Sequence, residues 1–265
     1  MHATLTFLGT GTSMGVPTLG CDCRVCRSAD PRDNRTRPSV AIEFKGHCVL
    51  IDTGPDFRQQ ALRSGLKRVD AVFYTHSHAD HILGLDDLRP LSFQHGGKSL
   101  PLFADETTEA VLRRIFDYTF SKDSKYPTSA RVEIHRLQPI QELFGAKFER
   151  LAVSHGESVI NGFRFGSAAY LTDMSDIPPQ TIEQLRGLDV LILDALRHTP
   201  HPTHSHLEKS LAYVRELQPK RAYFTHMSHD LDHEATEAIL PPHIRLAYDG
   251  LQLEFDIAPP SSLAL

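Results

Sequence analysis

The sequence of 265 residues has no tryptophan, four cysteines, four methionines and no apolar stretch near the ~18 residues that a membrane-spanning helix needs. Each shortage excludes something. Four cysteines are too few for a disulfide-stapled scaffold, and three of them, Cys21, Cys23 and Cys26, crowd into a spacing that belongs to metal binding in a reducing compartment. Without an apolar span, and without a basic and apolar leader at Met1–Phe7, the chain is expected to be cytoplasmic and to have no membrane partner. Positive charge is not in excess either: 28 basic against 33 acidic side chains, net −5, disfavours nucleic acid as a partner. The same modest charge, with 40% hydrophobic residues, excludes a disordered chain. Linkers, low-complexity tracts and internal repeats are missing too, so residues 1–265 are expected to form one domain. What is in excess is histidine, 16 residues against 14 phenylalanines. Imidazoles bind metals and carry protons near neutral pH.

β-type runs recur at 3–8, 39–44, 48–51, 71–74, 132–135, 163–171, 190–193, 222–224 and 251–255, and helical periodicity at 55–64, 106–116, 179–186 and 206–217. Early strands follow one another like hairpins and later ones are separated by helices. That mixture predicts an α/β fold of two sheets packed face to face with helices outside, rather than one doubly wound sheet. Cys48, inside an apolar run, reads as a buried small hydrophobe. Two stretches lack periodicity: 9–38, rich in Gly, Pro, Asp and Arg, and 118–129, where substrate selection is expected. The five arginines between Arg24 and Arg37 read as a solvated, charged loop.

After the strand Ala71–Tyr74 comes Thr75-His76-Ser77-His78-Ala79-Asp80-His81, three imidazoles and a carboxylate that no apolar core would accept. In an extended segment His76 and His78 project to one side and can grip one cation, whereas Asp80 and His81, where the chain turns into a helix, point to a second. His155, Asp173 and His226 each follow another apolar strand. A strand-end His or Asp alone is more often a hydrogen-bonding residue; three of them together with the cluster point to a two-metal site.

This pattern, HxHxDH followed by a distant His, an Asp and a last His, resembles the metallo-β-lactamase superfamily over nearly the whole chain, from Thr4 to about Phe255. The resemblance implies an αββα sandwich of two mixed β-sheets with helices outside. It implies His76, His78 and His155 on one metal, Asp80, His81 and His226 on the other, Asp173 bridging both, and Asp52 orienting the ligands from behind. The segment Gly9-Thr10-Gly11-Thr12-Ser13 through Pro17, then Gly20-Cys21-Asp22-Cys23-Arg24-Val25-Cys26, is similar to that of PhnP-type phosphodiesterases and, more distantly, of PqqB-like proteins. By that likeness the cysteine loop within 9–38 holds a separate structural zinc, with His229 as fourth ligand. His204, just before the helix that leads to the last metal-binding strand, is by the same likeness the general acid, and His206 beside it is the second candidate.

The implied activity is hydrolysis of a small phosphodiester, cyclic nucleotide-like or ribosyl substrates included, through a hydroxide bridging two divalent cations. Asp80 counts among its catalytic residues. The nitrogen and carboxylate donors suit zinc, manganese or iron alike, whereas the thiolate site favours zinc. Two other readings share the fold: a lactone or thioester hydrolase, and a PqqB-like accessory protein of a cofactor pathway that binds metal without turnover. A homodimer is compatible with the sequence.

Overall fold

A computed structural model describes residues 1–121, 126 and 128–257. Its strands, in chain order, are β1 (His2–Gly9), β2 (Ser39–Phe44), β3 (His47–Ile51), β4 (Ala71–Phe73), β5 (Leu100–Ala104), β6 (Val132–Arg136), β7 (Ile140–Leu143), β8 (Ala146–His155), β9 (Ser158–Phe165), β10 (Ala168–Leu171), β11 (Val190–Asp194), β12 (Arg221–Thr225), β13 (Ile244–Leu246) and β14 (Gln252–Asp256). The α-helices are α1 (Phe57–Ser64), α2 (Ala79–Ile82), α3 (Arg89–Ser92), α4 (Glu106–Ile115), α5 (Asp117–Phe120), α6 (Pro179–Gln184), α7 (Leu207–Leu217) and α8 (His233–Glu237).

These strands make two seven-stranded sheets, ordered β14-β1-β2-β3-β4-β5-β6 and β13-β12-β11-β10-β9-β8-β7. Both are mixed in the same way. Each opens with hairpin-linked antiparallel strands, as at β2/β3 and β8/β9, and continues in parallel, from β3 to β6 and from β10 to β13. Lys45-Gly46, at φ 49° and 74°, makes the two-residue turn between β2 and β3 that matches strand twist. Parallel neighbours need crossovers, and α1 and α7 fill two of them.

Alternation along the strands sets the layers. In β11, Val190 and Ile192 face the other sheet with Phe73, Phe148 and Phe163, while Leu191 and Leu193 face Leu207, Val214 and Leu217 of α7. Phe57 of α1 and Leu112 of α4 cover the outer face of the first sheet. The fold is therefore the expected αββα sandwich. Among the described residues no helix is long and apolar enough to cross a membrane.

The single run expected at 163–171 is two strands, β9 and β10, which fold back antiparallel. Gly166 turns the chain at φ 62°, and a Cβ there would collide with the Asp256 carbonyl. Of the irregular segment 118–129, α5 takes the first three residues, 118–120, while 122–125 and 127 lie outside the described residues.

Candidate metal centre

The predicted side chains converge where strands of both sheets end. β3 delivers Asp52, β4 the segment Thr75–His81, β8 His155, β10 Asp173, β11 Asp194 and β12 His226. Asp52, Asp173 and His226 leave their strands at φ 64°, 58° and 58°. That left-handed conformation costs a non-glycine residue about 1–3 kcal/mol and persists where the surroundings over-determine it. Glycine would relieve the cost and lose the donor side chain. Asn161 of β9 ties the sheets together at this edge, donating from its backbone N and its Nδ2 to the Thr75 carbonyl at 3.1 and 2.7 Å.

Hydrogen bonds behind the imidazoles decide which nitrogen faces inward. His81 Nδ1 donates to Asp52 Oδ2 at 2.7 Å. The Thr75 hydroxyl donates to Asp52 Oδ2 at 2.8 Å and so accepts from His76 Nδ1 at 3.0 Å. His155 Nδ1 donates to the carbonyls of Asp173 and Thr203, at 2.6 and 2.8 Å. With each Nδ1 carrying the proton, each Nε2 keeps its lone pair for a cation. Asp52 thus sits behind the imidazoles, where it was expected.

The inward atoms form two sets. His76, His78 and His155 place one nitrogen each within 4.8 Å of one another, and Asp80, His81, Asp173 and His226 do the same. In the second set His81 Nε2 lies 3.3 Å from Asp80 Oδ2 and 3.2 Å from Asp173 Oδ1, and His226 Nε2 lies 3.1 Å from Asp173 Oδ2. Ligands at about 2.0–2.1 Å on a tetrahedral ion lie roughly 3.3–3.4 Å from one another, so these spacings fit a shared cation. The Nε2 atoms of His76, His81 and His226 and Oδ2 of Asp80 are buried without a hydrogen-bond partner among the described residues. Buried polar atoms are rarely left so unless an ion or water completes them. Asp173 reaches toward the first set as well, with Oδ2 4.0 Å from His76 Nε2.

Charge follows the same division. Burial pushes His76 well below the usual imidazole range, helped by the neighbouring His81, and burial also lowers His78 and His155. Burial opposes charge on His81 too, but Asp173, Asp80 and Asp52 outweigh it and hold that imidazole well above its ordinary value, so a cation bound between these carboxylates would take the place of the proton on Nε2. His226 is held up at about 9, Asp173 overcoming burial. Asp80 and Asp173 are correspondingly held low against burial, Asp80 chiefly by His81 and Asp173 chiefly by His226.

His204 borders this centre. Its ring stacks on His226 at 4.7 Å between centroids, and its Nδ1 donates to Asp194 Oδ2 at 2.8 Å. Burial and His226 lower it to about 4. His206, the second candidate for general acid, is the N-cap of α7 and joins none of the clusters among the described residues. Asp194, which was not among the residues expected at the site, lies together with His204 and His226. Its signal was available, because Val190–Asp194 repeats the apolar-strand-then-carboxylate pattern of Ala169–Asp173.

A second donor cluster lies on the 9–38 loop. Sγ of Cys21, Cys23 and Cys26 sit 3.2, 3.6 and 3.3 Å from His229 Nδ1. A tetrahedral zinc with sulfur at about 2.3 Å and nitrogen at about 2.0 Å separates these donors by roughly 3.5 Å. The Cys26 backbone N–H, donating at 3.4 Å, is the main cause that brings the Cys23 thiol down to about 7. Cys48 is apart from this cluster and buried, as expected. The arginines of the loop are not simply solvated. Arg35 is fully buried, pairs with Asp33 at 3.0 Å and donates to the carbonyls of Ser228 and Leu231, on either side of His229. The others pair with Asp232, Asp22, Asp30 and Asp56.

Residues 47–227 match the model of the β-lactamase superfamily domain. A solved diphosphatase of the PhnP family is 59% identical, with a TM-score of 0.92 over 97% of this chain and 99% of that one. The zinc-bound PqqB of Methylobacterium extorquens, at 20% identity and a TM-score of 0.73 over 96% of this chain and 99% of that one, shares the fold. Among curated proteins, an octanoyltransferase of Porphyromonas gingivalis (strain ATCC BAA-308 / W83) is 39% identical over 254 residues, which is 94% of this chain and 51% of that protein. The chain thus spans about half the length of that curated relative. With the family match spread over both sheets and the paired donor sets at their edge, the chain belongs to the metallo-β-lactamase superfamily and is similar to its PhnP family.

Proposed function

We propose that the chain is a metal-dependent hydrolase of small phosphodiesters. The observation that carries this reading is the meeting of seven predicted ligands in two donor sets, beside a further imidazole, His204, whose Nδ1 is held by Asp194. His76, His78 and His155 would hold one divalent cation, Asp80, His81 and His226 a second, with Asp173 between them. Such a pair supplies Lewis-acid stabilisation of phosphoryl oxygens and an acidified water at neutral pH.

The chain's own residues do the rest. Asp52 fixes the rings of His81 and, through Thr75, His76, so the donors need no rearrangement. Asp194 holds the Nδ1 proton of His204 and leaves Nε2 to give a proton to the departing oxygen. To act as an acid His204 has to carry a second proton on Nε2, which burial and His226 oppose and the charge of an anionic substrate favours. Cys21, Cys23, Cys26 and His229 would hold a structural zinc that fastens the 9–38 loop to the segment carrying His226.

A second reading, favoured by the 59% identity to a PhnP-family diphosphatase, moves the broken bond from an ester to a phosphoanhydride at the same centre. Acyl transfer, named for the P. gingivalis relative, is not proposed, since about half of that protein lies outside the match. Bis(4-nitrophenyl) phosphate tests the reading. Zinc- or manganese-loaded protein is expected to release 4-nitrophenolate, and His76→Ala and Asp173→Ala each to lose about a thousandfold or more, some ~4 kcal/mol of barrier lowering. Undiminished turnover in either variant would remove the proposed centre.

A further inference from the structure

Two cavities of different chemistry flank the candidate centre, and we propose that they divide the substrate: the one beyond His204 receives the leaving group, which Arg197 and His201 recognise as a phosphate monoester departing from a diphosphate diester. The proposal rests on the phosphoryl-transfer reading above and sharpens its second form.

One cavity, of about 270 Å³, opens from His76, His78 and His155 toward Thr107, Val159 and Ile160. Among the described residues no lysine or arginine lines it, and the carboxylate that does, Asp105, is taken up by the Thr108 backbone N–H and by Asn161 Nδ2, at 2.9 and 2.8 Å. Val159 is 64% exposed there. This wall suits a neutral, partly apolar group. The other cavity, of about 220 Å³, opens from His204 toward Ser13, Met14, Arg197, His201 and Asp230. His204 lines only this second cavity of the two, so the oxygen that takes its proton departs on that side.

What waits there is a set of donors. The Thr203 backbone N–H donates to His201 Nδ1 at 3.3 Å, which leaves the neutral ring its proton on Nε2 and makes His201 a hydrogen-bond donor beside His204, 5.2 Å away between centroids. Arg197 is braced on its own turn, with Nε donating to the Thr199 carbonyl at 3.1 Å and Nη2 to the Pro200 carbonyl at 2.7 Å, so its guanidinium is ordered before a ligand arrives. An ordered guanidinium fork matches phosphate oxygens better than any other side chain. Asp230, exposed on the same rim, opposes these donors.

The step balances without a co-reactant. The oxygen of water bonds to the phosphorus at the centre and its displaced proton goes to solvent. The P–O bond to the second phosphate breaks with its electron pair, and that oxygen accepts the Nε2 proton of His204. A diphosphate diester and water give two phosphate monoesters.

The test compares metal-loaded protein on P1,P2-bis(4-nitrophenyl) diphosphate, which releases 4-nitrophenyl phosphate, with bis(4-nitrophenyl) phosphate, which releases 4-nitrophenolate. Arg197→Ala is expected to lower the ratio of kcat/KM for the diphosphate over the diester by roughly 10–100-fold, with Arg197→Lys recovering part of it. His201→Ala lowers the same ratio by a smaller factor. Calorimetric titration of 4-nitrophenyl phosphate should show binding weakened about tenfold in Arg197→Ala. An unchanged ratio in Arg197→Ala overturns the proposal, as does unchanged product affinity. Wild-type protein that cleaves the diester and not the diphosphate also overturns it while leaving the phosphodiesterase reading intact; cleavage of neither defeats both.

Discussion

The two donor clusters differ in how they are built. The His/Asp centre is buried apart from the exposed His78, sits on the ends of strands from both sheets, and has each of three imidazoles fixed from behind by Asp52, Thr75 or a backbone carbonyl. The Cys3His cluster is half open: Cys23 is exposed, Cys21 and His229 are partly so, and its thiols come from a loop with no strand beneath them. A site meant for reaction has to hold its donors in place with or without an ion, because misplacement of an ångström costs rate. A site meant for fastening can let the ion do the ordering, since binding energy becomes folding energy. Arg35 lies behind the Cys3His cluster, gripping the Ser228 and Leu231 carbonyls around His229, and Ser228 is two residues beyond His226.

Separating the two clusters by mutation is the sharpest way to break this contrast. Cys23→Ser is expected to lose one equivalent of zinc and to lower Tm by roughly 6–12 °C, the consequence of ~3 kcal/mol in a chain of this size. The His76 side should keep its metal. Elemental analysis beside a thermal melt reads both. Loss of all metal from Cys23→Ser would show that the clusters are one cooperative unit. A smaller effect is expected behind the ligands. Asp194→Asn leaves the donor sets in place but weakens the orientation of His204, and kcat should fall about 10–100-fold while metal content stays the same. Equal loss of metal and rate would make Asp194 a support for His226, 3.8 Å from its Nδ1, rather than for His204.

Much of this was legible in the sequence because it is local. His76, His78, Asp80 and His81 lie within six positions, and their division between two sets follows from an extended segment turning into α2. Strand-end placement marked His155, Asp173 and His226 for the same reason, and Cys21, Cys23 and Cys26 by spacing. The hidden parts depend on partners far along the chain. β5 was overlooked because Pro101 interrupts its pattern, although the strand pairs on both sides. β7 is an edge strand with little burial, and β13 has three residues. Arg35 reads as one more loop cation until the Leu231 segment, 196 residues away, closes over it. Asp194 had a signal, but its meaning required His204 to come back within 2.8 Å of it.

The account turns on cations at the His/Asp centre, and titrating them tests it directly. Protein stripped with a chelator, then given zinc or manganese in increments, is assayed on bis(4-nitrophenyl) phosphate at constant pH. The account predicts no turnover at first, then a rise that levels off once the Cys3His cluster and two further positions are filled, and no rise in Asp173→Ala. Full turnover by the stripped protein, or a rate that saturates when the Cys3His cluster alone is filled, would contradict it.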